Sequence, residues 1–142
     1  MRKKRANTHE LAEWRRAEMR RRTEAFARGE AFPPEVYDVL EARGVGPRGA
    51  VILENRTPPQ ECCAGTYAAL LLTAQGKFVD FEIDLDWEPR SEAPIKWNDV
   101  TYETTVDQRV PAIGTSDGWL ALRLFDELEA EGVLDPRGEK AP

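Results

Sequence analysis

The stretch Phe78-Val79-Asp80-Phe81-Glu82-Ile83-Asp84-Leu85-Asp86-Trp87 alternates apolar and acidic residues without a break from Val79 onward. In extended backbone, successive side chains point to opposite faces. Val79, Phe81, Ile83, Leu85 and Trp87 then line one face, and Asp80, Glu82, Asp84 and Asp86 line the other. That pattern marks a half-buried strand of an antiparallel sheet carrying a file of carboxylates on its outer face.

The neighbouring segments extend the sheet. Thr66 to Ala74 and Lys77 to Trp87 read as a hairpin closed by the two-residue turn Gln75-Gly76. Pairing Ala74 with Lys77 sets Leu72, Leu70 and Ala68 opposite Val79, Phe81 and Ile83 on the core face. Leu71, Ala69 and Tyr67 then stand opposite Asp80, Glu82 and Asp84 on the outer face. Ala50 to Glu54 reads as a short strand before the loop Asn55 to Ala64. Beyond the polar loop Glu88 to Pro94, Val100, Tyr102, Thr104 and Val106 alternate with Thr101, Glu103 and Thr105. The sheet is therefore expected within residues 50–106, with about four strands.

Helices flank it. Asn7 and Glu10 resemble a capping box, which predicts a basic helix over 7–28 stopped by Gly29. Its apolar stripe (Leu11, Trp14, Ala25, Phe26) is interrupted by Arg15, Glu18 and Arg22. Phe32-Pro33-Pro34 breaks the chain, and a short helix over 34–43 follows, with Val36, Tyr37 and Leu40 on one face. The clearest helix is expected over 117–131, capped by Asp117 or Ser116 and buried through Leu120, Leu124, Phe125 and Leu128. Gly132 ends it, with Val133 and Leu134 folding back as in a Schellman motif. Residues 1–6 read as a disordered basic tail and 136–142 as a frayed end. The expected architecture is one α+β domain with its N- and C-terminal helices on one face of an antiparallel sheet. Asp80, Glu82, Asp84, Asp86, Tyr67 and Leu71 would occupy the opposite, open face.

A chain of 142 residues with 41% hydrophobic content is long enough for a single core. Its longest apolar run, Ala68 to Leu72, is far short of the roughly 20 residues a membrane span needs. No apolar run follows Arg2-Lys3-Lys4-Arg5, so a signal peptide is not expected and the cytoplasm is the expected compartment.

Chemistry-bearing motifs are sparse. The two cysteines are adjacent, Cys62-Cys63, and the one histidine is His9. Neighbouring cysteines rarely reach relaxed disulfide geometry, and two thiols do not complete a tetrahedral zinc site. They read as small residues near a strand in a reducing compartment, with a redox-sensing pair as the alternative. Gly44-x-Gly46-x-x-Gly49 has dinucleotide-loop spacing but follows a helix and precedes a strand, the reverse of that motif. No Gly-x-Ser-x-Gly elbow or His-Glu-x-x-His helix occurs. Neither an enzyme nor a cofactor or metal is expected.

Charge is the remaining signal. Residues 1–28 hold ten Arg or Lys against four Glu, a net +6; since the whole chain carries −6, residues 29–142 carry −12. Carboxylates on alternate strand positions lie roughly 6.6 to 6.8 Å apart. Each adjacent pair repels by about 0.6 kcal/mol in water, which a fold tolerates, so a solvated face is one reading. Those carboxylates are too widely spaced to share one ion without ligands from elsewhere. The spacing suits an inverting glycosidase pair, yet an open face lacks the concave, water-excluding site such chemistry requires. A docking surface for a basic protein is the functional reading that the file supports best.

The arm offers three readings: a salt-bridged surface helix, a nucleic-acid contact through Arg15, Arg16, Arg20, Arg21 and Arg22, or a clamp on the acidic file within one molecule or a homodimer. Nucleic acid is disfavoured by the −12 body. The chain is thus expected to be a small acidic cytosolic inhibitor of a basic protein, most concretely a bacterial immunity protein neutralising a toxin domain. Asp80, Glu82, Asp84, Asp86, Tyr67 and Leu71 would form its contact surface, with Tyr67 and Trp87 as candidate aromatic anchors.

Overall fold

Alternation and turn chemistry produce the expected class. The computed structural model describes residues 8–74, 76–85, 95–101 and 115–135. The elements are α1 (Thr8–Ala27), α2 (Pro34–Ala42), β1 (Ala50–Asn55), β2 (Thr66–Thr73), β3 (Lys77–Asp84), β4 (Ile95–Thr101) and α3 (Thr115–Ala130). The strands form one antiparallel sheet in the order β1-β2-β3-β4, so each lies beside its sequence neighbour. The fold is α+β. Among the described residues, no helix is long and apolar enough to cross a membrane.

The β2–β3 register corrects the sequence reading by one residue. Leu72 pairs with Phe78, Leu71 with Val79, Leu70 with Asp80, Ala69 with Phe81, Ala68 with Glu82 and Tyr67 with Ile83. The connection is the three-residue loop 74–76, not a two-residue turn. Gly76 takes φ 80°, and its N–H donates to Thr73 O at 3.0 Å. Glycine adopts this left-handed conformation without the Cβ clash other residues meet, and a glycine in that position closes three-residue hairpins. Shifting a strand by one residue exchanges its faces, and the apolar run Leu70-Leu71-Leu72 carries no parity of its own to oppose the shift.

One face of the sheet, with Ala50, Ile52, Ala69, Leu71, Val79, Phe81 and Ile83, is covered by α2 and the chain leading into it. Phe32 sits edge-on to Phe26, Tyr67 and Phe81. Tyr37 stacks on Phe26 at 5.2 Å, donates its hydroxyl to Phe26 O at 2.9 Å and accepts from the Ala31 N–H at 3.1 Å. The opposite face buries Val51, Leu53, Leu70, Leu72 and Phe78 under α3 and Met19 of α1. Both faces are thus covered over part of their area, where a single covered face was expected.

α3 ends as its sequence predicts. Gly132, at φ 78°, donates its N–H to Glu129 O, and the Val133 N–H reaches Leu128 O, which is the Schellman pairing. β4 begins at Ile95, before the strand expected from Val100. Ile95 and Trp97 pack against the α2-side core, with Trp97 stacked on Phe81 at 6.1 Å. Tyr102, Thr104, Val106, Trp87 and the tails 1–6 and 136–142 lie outside the described residues.

α1 departs most from its expected stripe. Met19, Thr23 and Phe26 face inward at spacings of four and three, and all are buried. Trp14 is instead 63% exposed. The polar residue in this line has a structural reason. β1 is an edge strand whose outward N–H groups lack a strand partner, and Thr23 Oγ1 accepts the Ile52 N–H at 3.1 Å. Met19 joins the core on α3's side of the sheet and Phe26 the core on α2's side. α1 therefore spans the β1 edge and ties the two cores together.

Thr23→Val keeps the side-chain shape but orphans the Ile52 N–H. It is expected to lower stability by about 1–3 kcal/mol in urea denaturation, the range for a buried donor left unpaired. Thr23→Ser retains the acceptor and should lose less.

Candidate functional site

Among the described residues, the half of the α3-side face that no helix covers is the candidate site, and strand parity builds it. Counting back along β2 from the Leu72 rung, Leu70 pairs with Asp80, Ala68 with Glu82 and Thr66 with Asp84. Glu54 joins the Leu70 rung after a bulge in β1. Arg56 extends β1 alongside β2 by donating its N–H to Ala68 O at 2.8 Å. On the other side, Lys96 stands opposite Glu82. At the apolar end this face is sealed by α3. At the charged end, Arg56, Ala68, Asp80, Glu82 and Lys96 line a broad open concavity of about 440 Å³.

The carboxylate file is present on this face but is not bare. Arg56 Nε lies 3.2 Å from Glu54 Oε2, and its Nη1 lies 3.3 Å from Asp80 Oδ2. Lys96 Nζ lies 3.5 Å from Glu82 Oε2. Glu54 and Asp80 thus share Arg56, Glu82 faces Lys96, and Asp84 stands half-buried on the next rung. The Asp80 and Glu82 side chains keep 45% and 47% of their surface exposed. Exposed pairs of this kind contribute only about 0–1 kcal/mol each. Among the described residues, no cluster of His, Cys, Asp and Glu is arranged to hold a metal ion.

Two expected site residues stand elsewhere, as the register shift requires. Leu71 is fully buried on the opposite face, with 0% exposure, and has no surface to offer a partner. Tyr67 is also on that face, half-buried against Phe32. Asp86 lies outside the described residues. The cations Arg56 and Lys96, and the carboxylate Glu54, were missed. Lys96 had a usable signal, since it sits between Ile95 and Trp97 in a short period-two pattern.

The arginines of α1 do not reach this face. Arg16 pairs with Glu127 of α3. One turn on, Arg20 makes a bidentate pair with Glu131 at 2.7 and 2.9 Å while its Nε donates to Glu24 at 2.8 Å. Arg21 and Arg22 both turn to Glu18, and Arg15 is exposed. Of the three readings of the arm, these pairs are those of a salt-bridged surface helix, laddered onto α3. The hydrogen bonds it donates to Glu131, then to Glu24, hold the Arg20 guanidinium more firmly protonated than usual. In turn, the Arg20 hydrogen bond holds the Glu131 carboxyl below its ordinary value of 4.5.

A carboxylate depressed in the folded state adds stability above its unfolded pKa and loses it as pH falls through the folded one. The stability difference between wild type and Glu131→Gln should therefore be largest near neutrality. It should shrink as pH drops below 4.5, read by urea denaturation at stepped pH. Comparison with protein-family models, curated proteins and solved structures finds no match for this chain.

Proposed function

We propose that the open, charged half of the sheet face docks a basic protein and that the chain acts as its inhibitor. The most concrete form is an immunity protein in the cytoplasm that covers the active surface of a basic toxin domain. The observation that carries this reading is the uncovered rung system. Both faces are otherwise roofed by helices among the described residues, yet here Asp80 and Glu82 line a broad concavity beside Arg56 and Lys96, with Glu54 and Asp84 on neighbouring rungs of the same face. Net negative charge on an open face speeds encounter with a positive partner and rejects negative ones. A broad charged concavity suits protein contact better than small-molecule chemistry, which favours deep and mostly apolar clefts.

The nucleic-acid reading of the arm has less support. Arg16, Arg20, Arg21 and Arg22 each already pair with a carboxylate, so phosphates would have to compete for them. Those pairs also weaken the case for a homodimer built on the arm clamping an acidic file.

The test captures partners from nuclease-treated host lysate, then purifies the captured protein and titrates it calorimetrically. Glu82→Lys/Asp84→Lys should weaken binding of a basic partner by about tenfold or more, since like charges across an interface cost several kcal/mol. Lys96→Glu, which adds negative charge to the same face, should leave binding intact or tighten it. A partner held equally by wild type and by the Lys double variant would refute the assignment.

A further inference from the structure

We propose that Cys62 and Cys63 form a dithiol site for soft trivalent centres of the organoarsenic(III) class, which are satisfied by two protein sulfurs. Both thiols are free, Cys62 exposed and Cys63 half-buried, and their Sγ atoms converge to 2.9 Å. The turn that carries them is fixed. The Cys63 N–H donates to Pro59 O and the Thr66 N–H to Cys63 O, each at 3.1 Å. Gln60 spans the turn, accepting from the Gly65 N–H at 3.0 Å and donating to Thr66 O at 3.0 Å. Cys62 Sγ donates to Pro59 O at 3.3 Å. A ligand that needs two sulfurs on one side therefore finds them already gathered, with little ordering left to offset.

The donor set selects the ligand class. Zinc takes four ligands, and among the described residues no third metal-binding side chain joins the pair. A disulfide between neighbours is geometrically poor: Cα atoms across a trans peptide are about 3.8 Å apart, below the usual lower limit of about 4.4 Å for bridged cysteines. Nucleophilic chemistry needs a thiolate, whereas the hydrogen bond to Cys62, loss of solvation and the charges of Cys62 and Glu82 push the Cys63 thiol up. A ligand that removes the thiol protons as it binds avoids that barrier. With an arsine oxide, two As–S bonds form, the As=O bond breaks, and its oxygen leaves as water with both thiol protons. Arsenic stays trivalent and no electrons are exchanged. The site is independent of the protein-docking reading.

Full-length protein would be treated with phenylarsine oxide and followed by intact mass. One phenylarsenic unit, added with loss of one water, is expected to survive excess glutathione and to be released by dimercaptopropanol. Cys62→Ser and Cys63→Ser should each weaken retention by about a hundredfold, the scale of losing a second linked contact, with unchanged urea midpoints showing an intact fold. Release by glutathione, or full retention in either serine variant, would overturn the proposal.

Discussion

The left-handed turn at Gly76 is the constraint on which the rest of the arrangement depends. Its three-residue loop sets the pairing of β2 with β3, and that pairing decides which side of the sheet each residue joins. A loop shorter by one residue would carry Leu71 into water beside Asp80 and bring Leu70 and Leu72 onto the face of Val79 and Phe81. In the observed register, Leu72 and Phe78 share α3's side while Leu71 and Val79 share that of α2. Each helix therefore meets a matching apolar surface, and the charged rungs fall where neither reaches.

Two separate charge systems follow from that geometry. The α1–α3 ladder joins elements distant in sequence, with arginines one turn apart meeting glutamates one turn apart. The second system, on the sheet, is made of short cross-strand pairs about Arg56 and Lys96. The ladder's cations are engaged within the fold. The sheet pairs are looser and more exposed. The basic arm and acidic body visible in the sequence are therefore not simply two complementary halves of one contact.

The class of fold, the carboxylates' placement and the end of α3 were legible in the sequence. In β3, period-two alternation places Val79, Phe81 and Ile83 on a side opposite Asp80, Glu82 and Asp84, whatever the neighbouring strand does. Gly132 likewise marks a helix end through its own backbone preference. What was not legible depended on partners. The parity of Leu70-Leu71-Leu72 is invisible in a uniform apolar run, which is why Tyr67 and Leu71 were placed on the wrong side. Thr23 looks like an ordinary polar helix residue until β1 supplies the N–H it accepts. Arg56 and Lys96 acquire their roles only through strand pairing, and the inward line of α1 is set by the edge it spans rather than by its mean polarity.

The position of α1 bears on how the chain behaves when partly unfolded. The β1 edge carries Ala50-Val51-Ile52-Leu53, a buried apolar segment whose outward Ile52 amide is held by Thr23. A molecule that frees α1 while keeping the sheet would display that edge as a template to which another strand can add. The helix thus shields the edge from strand addition, and its ion pairs with α3 help to hold it there.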